Sequence, residues 1–215
     1  MDHVLHYKDW KNSYIPNILK EVYLDAIYTQ YVSYMKNQVV IDAGMNIGLW
    51  SLFAAKYAAQ VYGFEPAKET YQLAVKNITD NGIKNVYPQQ KAVSEKEGTL
   101  TFYHNVNSTM NSLNEAVNNK PEAKETVKAI RLDHFLESEG IEHVGFMKFD
   151  CEGTEHLFFN SESFRNLAPK LDAFVYEYHS WCGVPPQNIN EAISDAGFST
   201  IKQLPTDALV FGCSK

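Results

Sequence analysis

The chain is short of cysteine, of basic charge and of long apolar runs, and each shortage removes a class of function. Three cysteines occur in 215 residues, Cys151, Cys182 and Cys213. An odd number, widely spaced and without a C-x-x-C pair, argues against a disulfide framework and a structural zinc site. A cytoplasmic, reducing setting is the expectation. Nineteen Lys and Arg stand against 26 Asp and Glu, for a formal net charge of −7 with the lysines scattered. No basic stripe is available to neutralise a phosphate backbone, so no nucleic-acid partner is expected. No run approaches the ~20 apolar residues that span a bilayer, and the opening MDHVLHYKDWK lacks an apolar signal core. The chain therefore reads as soluble and unprocessed, with no membrane span. Its length suits one domain over residues 1–215, without internal repeats or a low-complexity linker.

What is present is a strand and helix alternation. Residues 16–36 carry Ile18, Leu19, Val22, Tyr23, Ala26, Ile27, Tyr31 and Tyr34 at three- and four-residue spacings, the stripe of an amphipathic helix, and so predict a helical N-terminal cap. Gln38–Asp42 reads as a strand, Leu49–Ala59 as a helix, Gln60–Glu65 as a second strand, Ala67–Asn81 as a helix closed by Gly82, and Asn85–Ala92 as a third strand. Alternation of this kind implies a parallel sheet. It breaks over 98–131, where Thr99–Tyr103 and Thr126–Arg131 flank the polar stretch Asn105–Lys120, which predicts a β-hairpin insertion. Winding resumes with a helix over 133–139, a strand Val144–Phe149, a helix over 154–166, a strand Asp172–Tyr178 and a helix over 187–196. Phe198–Leu204 and Ala208–Cys213 are joined by three residues, too few for a parallel crossover, so the sheet should end in an antiparallel hairpin.

The first loop, Asp42-Ala-Gly44-Met-Asn46-Ile-Gly48, follows a strand and opens a helix. Its glycines permit a sharp turn and close approach to a ligand, and the helix N-terminus favours a carboxylate. Asp42 is suited to accept from a ligand ammonium. Glu65 closes the second strand at the distance where dinucleotide folds place the acid that holds ribose hydroxyls. Either feature alone is an ordinary tight turn or a solvated strand end; their joint spacing favours a nucleotide-like ligand.

Six motifs in order, IDAGMNIG (41–48), GFEP (63–66), KAVS (91–94), RLDHFL (131–136), KFDCEGTEH (148–156) and YEYH (176–179), resemble the FkbM family of methyltransferases. Aliphatic residues more often stand in that family where this chain has Phe149 and Cys151. The resemblance implies an α/β, Rossmann-like methyltransferase fold: a mostly parallel seven-stranded sheet with an antiparallel C-terminal strand. It implies S-adenosyl-L-methionine as cofactor, with Asp42, Gly44, Asn46 and Gly48 around its amino-acid end, Glu65 on the ribose, and Val93 and Asp150 completing the set. It also implies O-methylation of a hydroxyl on a small-molecule or glycan-like acceptor.

Beside the resemblance, Lys148, Asp150 and Glu152 alternate at a strand's carboxyl edge, and Glu177 and His179 share a face at the end of the next strand. An alcohol is a poor nucleophile and histidine has the pKa of a general base, so His179, oriented by Glu177, is the candidate catalytic pair. A structural ion pair between Glu177 and Lys148 is the plainer alternative. The oxygen and imidazole groups lack a diagnostic ligand spacing, and no metal is assigned. Cys151, on the opposite face, reads as a small buried hydrophobe. The cap and the 105–120 loop are expected to close over the site, with Ser108–Ser112 and Trp181 near the acceptor. Two other functions share these features: an NAD-dependent oxidoreductase, although the loop departs from G-x-G-x-x-G, and a non-catalytic cofactor-binding module of the same fold.

Overall fold

The computed structural model describes residues 4–7, 15–104, 113, 123–206 and 209–215. Seven strands form one sheet: β1 (Val39–Ala43), β2 (Gln60–Phe64), β3 (Val86–Gln89), β7 (Val144–Phe149), β8 (Leu171–Glu177), β9 (Thr200–Gln203) and β10 (Val210–Ser214). Their order is β3-β2-β1-β7-β8-β10-β9, with β1 parallel to both β2 and β7 and β10 antiparallel to both neighbours. The chain winds outward from β1 in one direction and from β7 in the other, so their carboxyl ends flank the crevice where α/β sheets take ligands. A second sheet, in the order β4-β6-β5, holds β4 (Ala92–Val93), β5 (Gly98–His104) and β6 (Ala123–Ile130); β5 and β6 pair antiparallel over seven residue pairs. The third predicted strand thus stops at Gln89, and Ala92–Val93 leaves it to lie parallel to β6. Pro88, which has no N–H to give, suits the outer edge of the large sheet where β3 lies.

The periodicity over 16–36 reports a buried face and not a continuous helix. The segment folds as α1 (Ile15–Leu19), a π-helical turn Lys20–Leu24, a 3₁₀ turn Thr29–Tyr31 and α2 (Val32–Met35). The break is at Ala26, which takes φ 52° while its carbonyl accepts from both the backbone N–H and the hydroxyl of Thr29. Val22, Tyr28 and Met35 are buried against the sheet, and Tyr31 packs on Phe146 with ring centroids 5.1 Å apart. A Cβ at Gly145 would overlap the Tyr34 carbonyl, so the bare backbone of β7 is what admits α2.

The remaining helices are α3 (Leu49–Ala54), α4 (Lys68–Asp80), α5 (Leu132–Ser138), α6 (Glu155–Phe159), α7 (Glu162–Leu167) and α8 (Pro186–Asp195). The helix expected over 154–166 is divided because Ser161 caps α7, its hydroxyl accepting from Phe164 N at 3.2 Å. On β7, Phe146 faces the cap, while Met147 and Phe149 face a second core in which Phe149 stacks on Phe158 at 4.4 Å. Lys148, next to Phe146 in phase, therefore points to the cap side at the sheet's carboxyl edge.

Candidate functional site

The loop after β1 is pinned to both neighbouring strands. Gly44 and Met45 donate their N–H groups to the Phe64 carbonyl at 3.1 and 2.8 Å, and Asp150 N donates to the Ala43 carbonyl at 2.9 Å. Gly44 has φ 82°, and a Cβ there would overlap the Asp150 carbonyl. Glycine is thus required on two grounds, conformation and contact. Asn46 follows at φ 52°, a left-handed conformation that asparagine tolerates. Its N–H donates to Glu65 Oε2 at 3.0 Å while Ala67 N donates to Glu65 Oε1 at 2.9 Å, so Glu65 braces the two loops with one carboxylate. Burial pushes Glu65 up to about 7 against those two hydrogen bonds.

These loops bound a cavity at the carboxyl edge of the sheet. Gly44, Asn46, Glu65, Val93 and Asp150 line it, with Phe64, Phe102 and Leu113 forming an apolar wall. Two predicted residues stand back from it. Asp42 is fully buried in β1, where Ser51 Oγ donates to its Oδ2 at 2.6 Å, and burial pushes it up to about 6. Gly48, at φ 85°, caps α3 and lies against Ala74 of α4. Both shape the loop without lining the cavity.

The second cluster gathers beside this cavity at the ends of β7 and β8. Lys148 Nζ donates to Asp150 Oδ2 at 2.8 Å, so its ion pair is with Asp150 and not with Glu177. After Asp150 the backbone turns through Glu152 at φ 52° and Gly153 at φ 92°, which brings the Glu152 carboxylate back toward β8. His179, with its side chain 5% exposed, bonds through Nδ1 to Glu155 Oε1 at 3.0 Å. Its Nε2 stands 3.4 Å from Glu152 Oε2, 3.7 Å from Glu177 Oε1 and 3.8 Å from Asp150 Oδ1. Burial alone would lower the imidazole, but Glu155 and then Glu152 and Asp150 push it up to about 10. Burial, reinforced by Asp150, pushes Glu152 up to about 9 and Glu177 up to about 8. Burial also raises Asp150, but Lys148 and His179 outweigh it and hold that carboxyl below its ordinary range. The Trp181 ring covers His179 at 4.7 Å.

A cavity at a glycine loop and a buried acid is shared by several cofactor classes, and the relatives decide among them. Residues 42–199 match the methyltransferase FkbM domain. The chain belongs to the FkbM methyltransferase family. S-adenosylmethionine is accordingly its cofactor, and the oxidoreductase alternative falls away. Methyltransferase sdnD of Sordaria araneosa is 31% identical over 170 residues, 64% of this chain and 65% of that protein. An uncharacterized RNA methyltransferase, TTE1812 of Caldanaerobacter subterraneus, is 49% identical over 57 residues, 26% of this chain and 13% of its own length. This FkbM chain thus spans less than two thirds of these curated relatives. The crystal structure of methyltransferase FkbM from Methylobacillus flagellatus shares the fold with a TM-score of 0.55 at 12% identity, over 82% of this chain and 43% of that one. No helix among the described residues is long and apolar enough to cross a membrane.

Several residues of the FkbM site have no role in the sequence reading. Glu155 is fully buried and holds His179, and Thr154, Cys151, Phe102 and Leu113 line the cavity. Glu155 and Thr154 lie inside the KFDCEGTEH motif, so the signal was the motif itself; Phe102 and Leu113 come from the insertion, where no motif marks them. Cys151 is half-buried and reaches the cavity wall while packing on the phenylalanine core. Ser108–Ser112 and most of the 105–120 loop lie outside the described residues.

Proposed function

We propose that this methyltransferase transfers the methyl group to a hydroxyl oxygen of a neutral, small-molecule or glycan-like acceptor. The observation that carries the reading is the meeting of two cavities. A second cavity, lined by Tyr103, Leu113, Thr154, His156 and Trp181 among others, shares Leu113 and Thr154 with the first. An acceptor held there borders the donor. Its aromatic and hydroxyl lining suits a sugar-like molecule, and the carboxylates of Asp150, Glu152 and Glu177 beside it oppose a polyphosphate.

The residues of the first cavity fit the donor. Phe64, Val93, Phe102 and Leu113 suit the adenine, the remaining lone pairs of Glu65 suit the ribose hydroxyls, and the Gly44–Asn46 turn with Asp150 bounds the amino-acid end. Asp42 and Gly48 act from behind by holding that turn. When bound, S-adenosylmethionine supplies a methyl group on a sulfonium, open to in-line displacement by an oxygen nucleophile. For the proton we assign Glu177, which stands 3.7 Å from Nε2 of His179 while Glu155 fixes that imidazole through Nδ1. Glu155 holds His179 against the Glu177 carboxylate, and Glu177 takes the hydroxyl proton.

Incubation with a deuterated methyl donor and a panel of hydroxylated acceptors tests this by product mass and by the chemical shift of the new methyl. Glu177→Gln should lower turnover at least about tenfold while donor affinity is nearly unchanged. A methyl group found on nitrogen, carbon or nucleic acid, or a Glu177→Gln variant with full turnover, overturns the assignment.

A further inference from the structure

We propose that Asp150, Glu152 and His179 form a divalent-cation site on the floor of the donor cavity, selective for a first-row ion that accepts both carboxylate and imidazole. One oxygen from each carboxylate and one imidazole nitrogen lie within 4.8 Å of one another.

The distances separate this from an ordinary ion-pair network. Charge-assisted hydrogen bonds close to about 2.7–2.9 Å. Nε2 of His179 instead stands 3.4 Å from Glu152 and 3.8 Å from Asp150, with Glu177 at 3.7 Å, and none of the three has closed on it. Ligand atoms sharing an ion at about 2.0–2.2 Å lie roughly 3.0–3.6 Å apart when adjacent. The two imidazole–carboxylate distances are close to that, and the three ligand atoms, all within 4.8 Å of one another, would draw together around an ion.

Two observations beyond the proximity of the donor atoms point to a ligand. Asp150 Oδ1 is buried without a hydrogen-bond partner among the described residues, and it faces the imidazole nitrogen. His179 is 95% buried, and its Nδ1 is taken by Glu155, a carboxylate with no exposed surface. That is the arrangement that orients metal-binding histidines: the outer carboxylate fixes the Nδ1–H tautomer and directs the Nε2 lone pair at the ion. A cation there replaces the Nε2 proton. The charge count favours it too, since Asp150, Glu152, Glu155 and Glu177 converge on His179 with Lys148 as the other cation in contact. The mixed oxygen and nitrogen donors suit Mn²⁺ better than the oxygen-seeking Mg²⁺ or Ca²⁺. Asp150 and Glu152 also line the donor cavity, so an ion between them can offer an open position to an acceptor oxygen, a part in catalysis that rests on the reading above.

Mn²⁺ titrated into the full chain, followed by the electron paramagnetic resonance of the free aquo ion, tests the site without recourse to activity. The expected result is about one ion per chain, with nitrogen hyperfine coupling from His179 in the pulsed spectrum. Glu152→Gln, at the partly exposed rim, should weaken binding roughly 10- to 100-fold with its circular dichroism unchanged. Asp150→Asn gives a second reading if that variant does not fold. Absence of binding at millimolar Mn²⁺, binding without nitrogen coupling, or unchanged affinity in a folded variant overturns the site. A parallel titration with S-adenosylhomocysteine keeps the two readings apart. Nucleoside binding without Mn²⁺ binding overturns the cation site and leaves the donor reading standing; Mn²⁺ binding without nucleoside binding supports the site and counts against the donor reading.

Discussion

At Gly44 a single hydrogen in place of a side chain lets the β1 loop touch the chain leaving β7, and the cavity forms around that contact. Gly44→Ala puts a Cβ into the Asp150 carbonyl at a φ where alanine is already strained, so the loop must move. We expect at least about a tenfold loss of S-adenosylhomocysteine affinity, read by calorimetry on a variant that keeps its circular dichroism; unchanged affinity would mean the loop does not shape the site. The residue types in this loop were legible from sequence because their chemistry is local: glycine turns, and an acid at a strand end. The protonation of His179 was not. It depends on Glu155, 24 positions earlier and on another element, so the imidazole read as a free base until its partner was in place. Asp42 illustrates the same limit, since one oxygen of its carboxylate is taken by Ser51, a partner that strand position alone does not reveal.

Among the elements, β1, β2, β7 and β8 were legible because each is a short apolar run followed by glycine or acid, and the short link between β9 and β10 suited only a hairpin. The cap was legible as a buried face and illegible as a shape. Helical spacing records which side chains go inward, and the turn at Ala26 keeps them inward while breaking the helix. This changes what the cap does: its side chains complete a hydrophobic core on the sheet face. Met35, with no exposed surface, measures this. Met35→Ala should cost about 2–5 kcal/mol in denaturant unfolding, and a loss under about 0.5 kcal/mol would mark the cap as a dispensable lid.

Over the whole molecule, the site is held together against the pull of its own acids. Asp42 and Glu65 bind protons more tightly folded than unfolded, at about 6 and about 7. The native state therefore holds more protons than the unfolded state between roughly pH 4 and 7, and ligand-free stability falls as pH rises through that window. Asp133 works the other way: burial would raise it, but Arg131 at 2.6 Å holds it below its ordinary range, giving stability present above about pH 4 and lost in stronger acid. The thermal midpoint of the ligand-free chain should accordingly decline from pH 5 to 7.5, and Glu65→Gln should flatten the decline; a midpoint rising over that interval would contradict it. The central claim is that the cavity between the β1 and β7 loops holds the methyl donor with Glu65 on its ribose. Calorimetric titration of S-adenosylhomocysteine into the full chain and into Glu65→Ala tests it most directly. The account predicts saturable binding of about one nucleoside per chain, weakened by roughly 1–3 kcal/mol in the variant; no binding by the folded chain, or equal affinity in the folded variant, would contradict it.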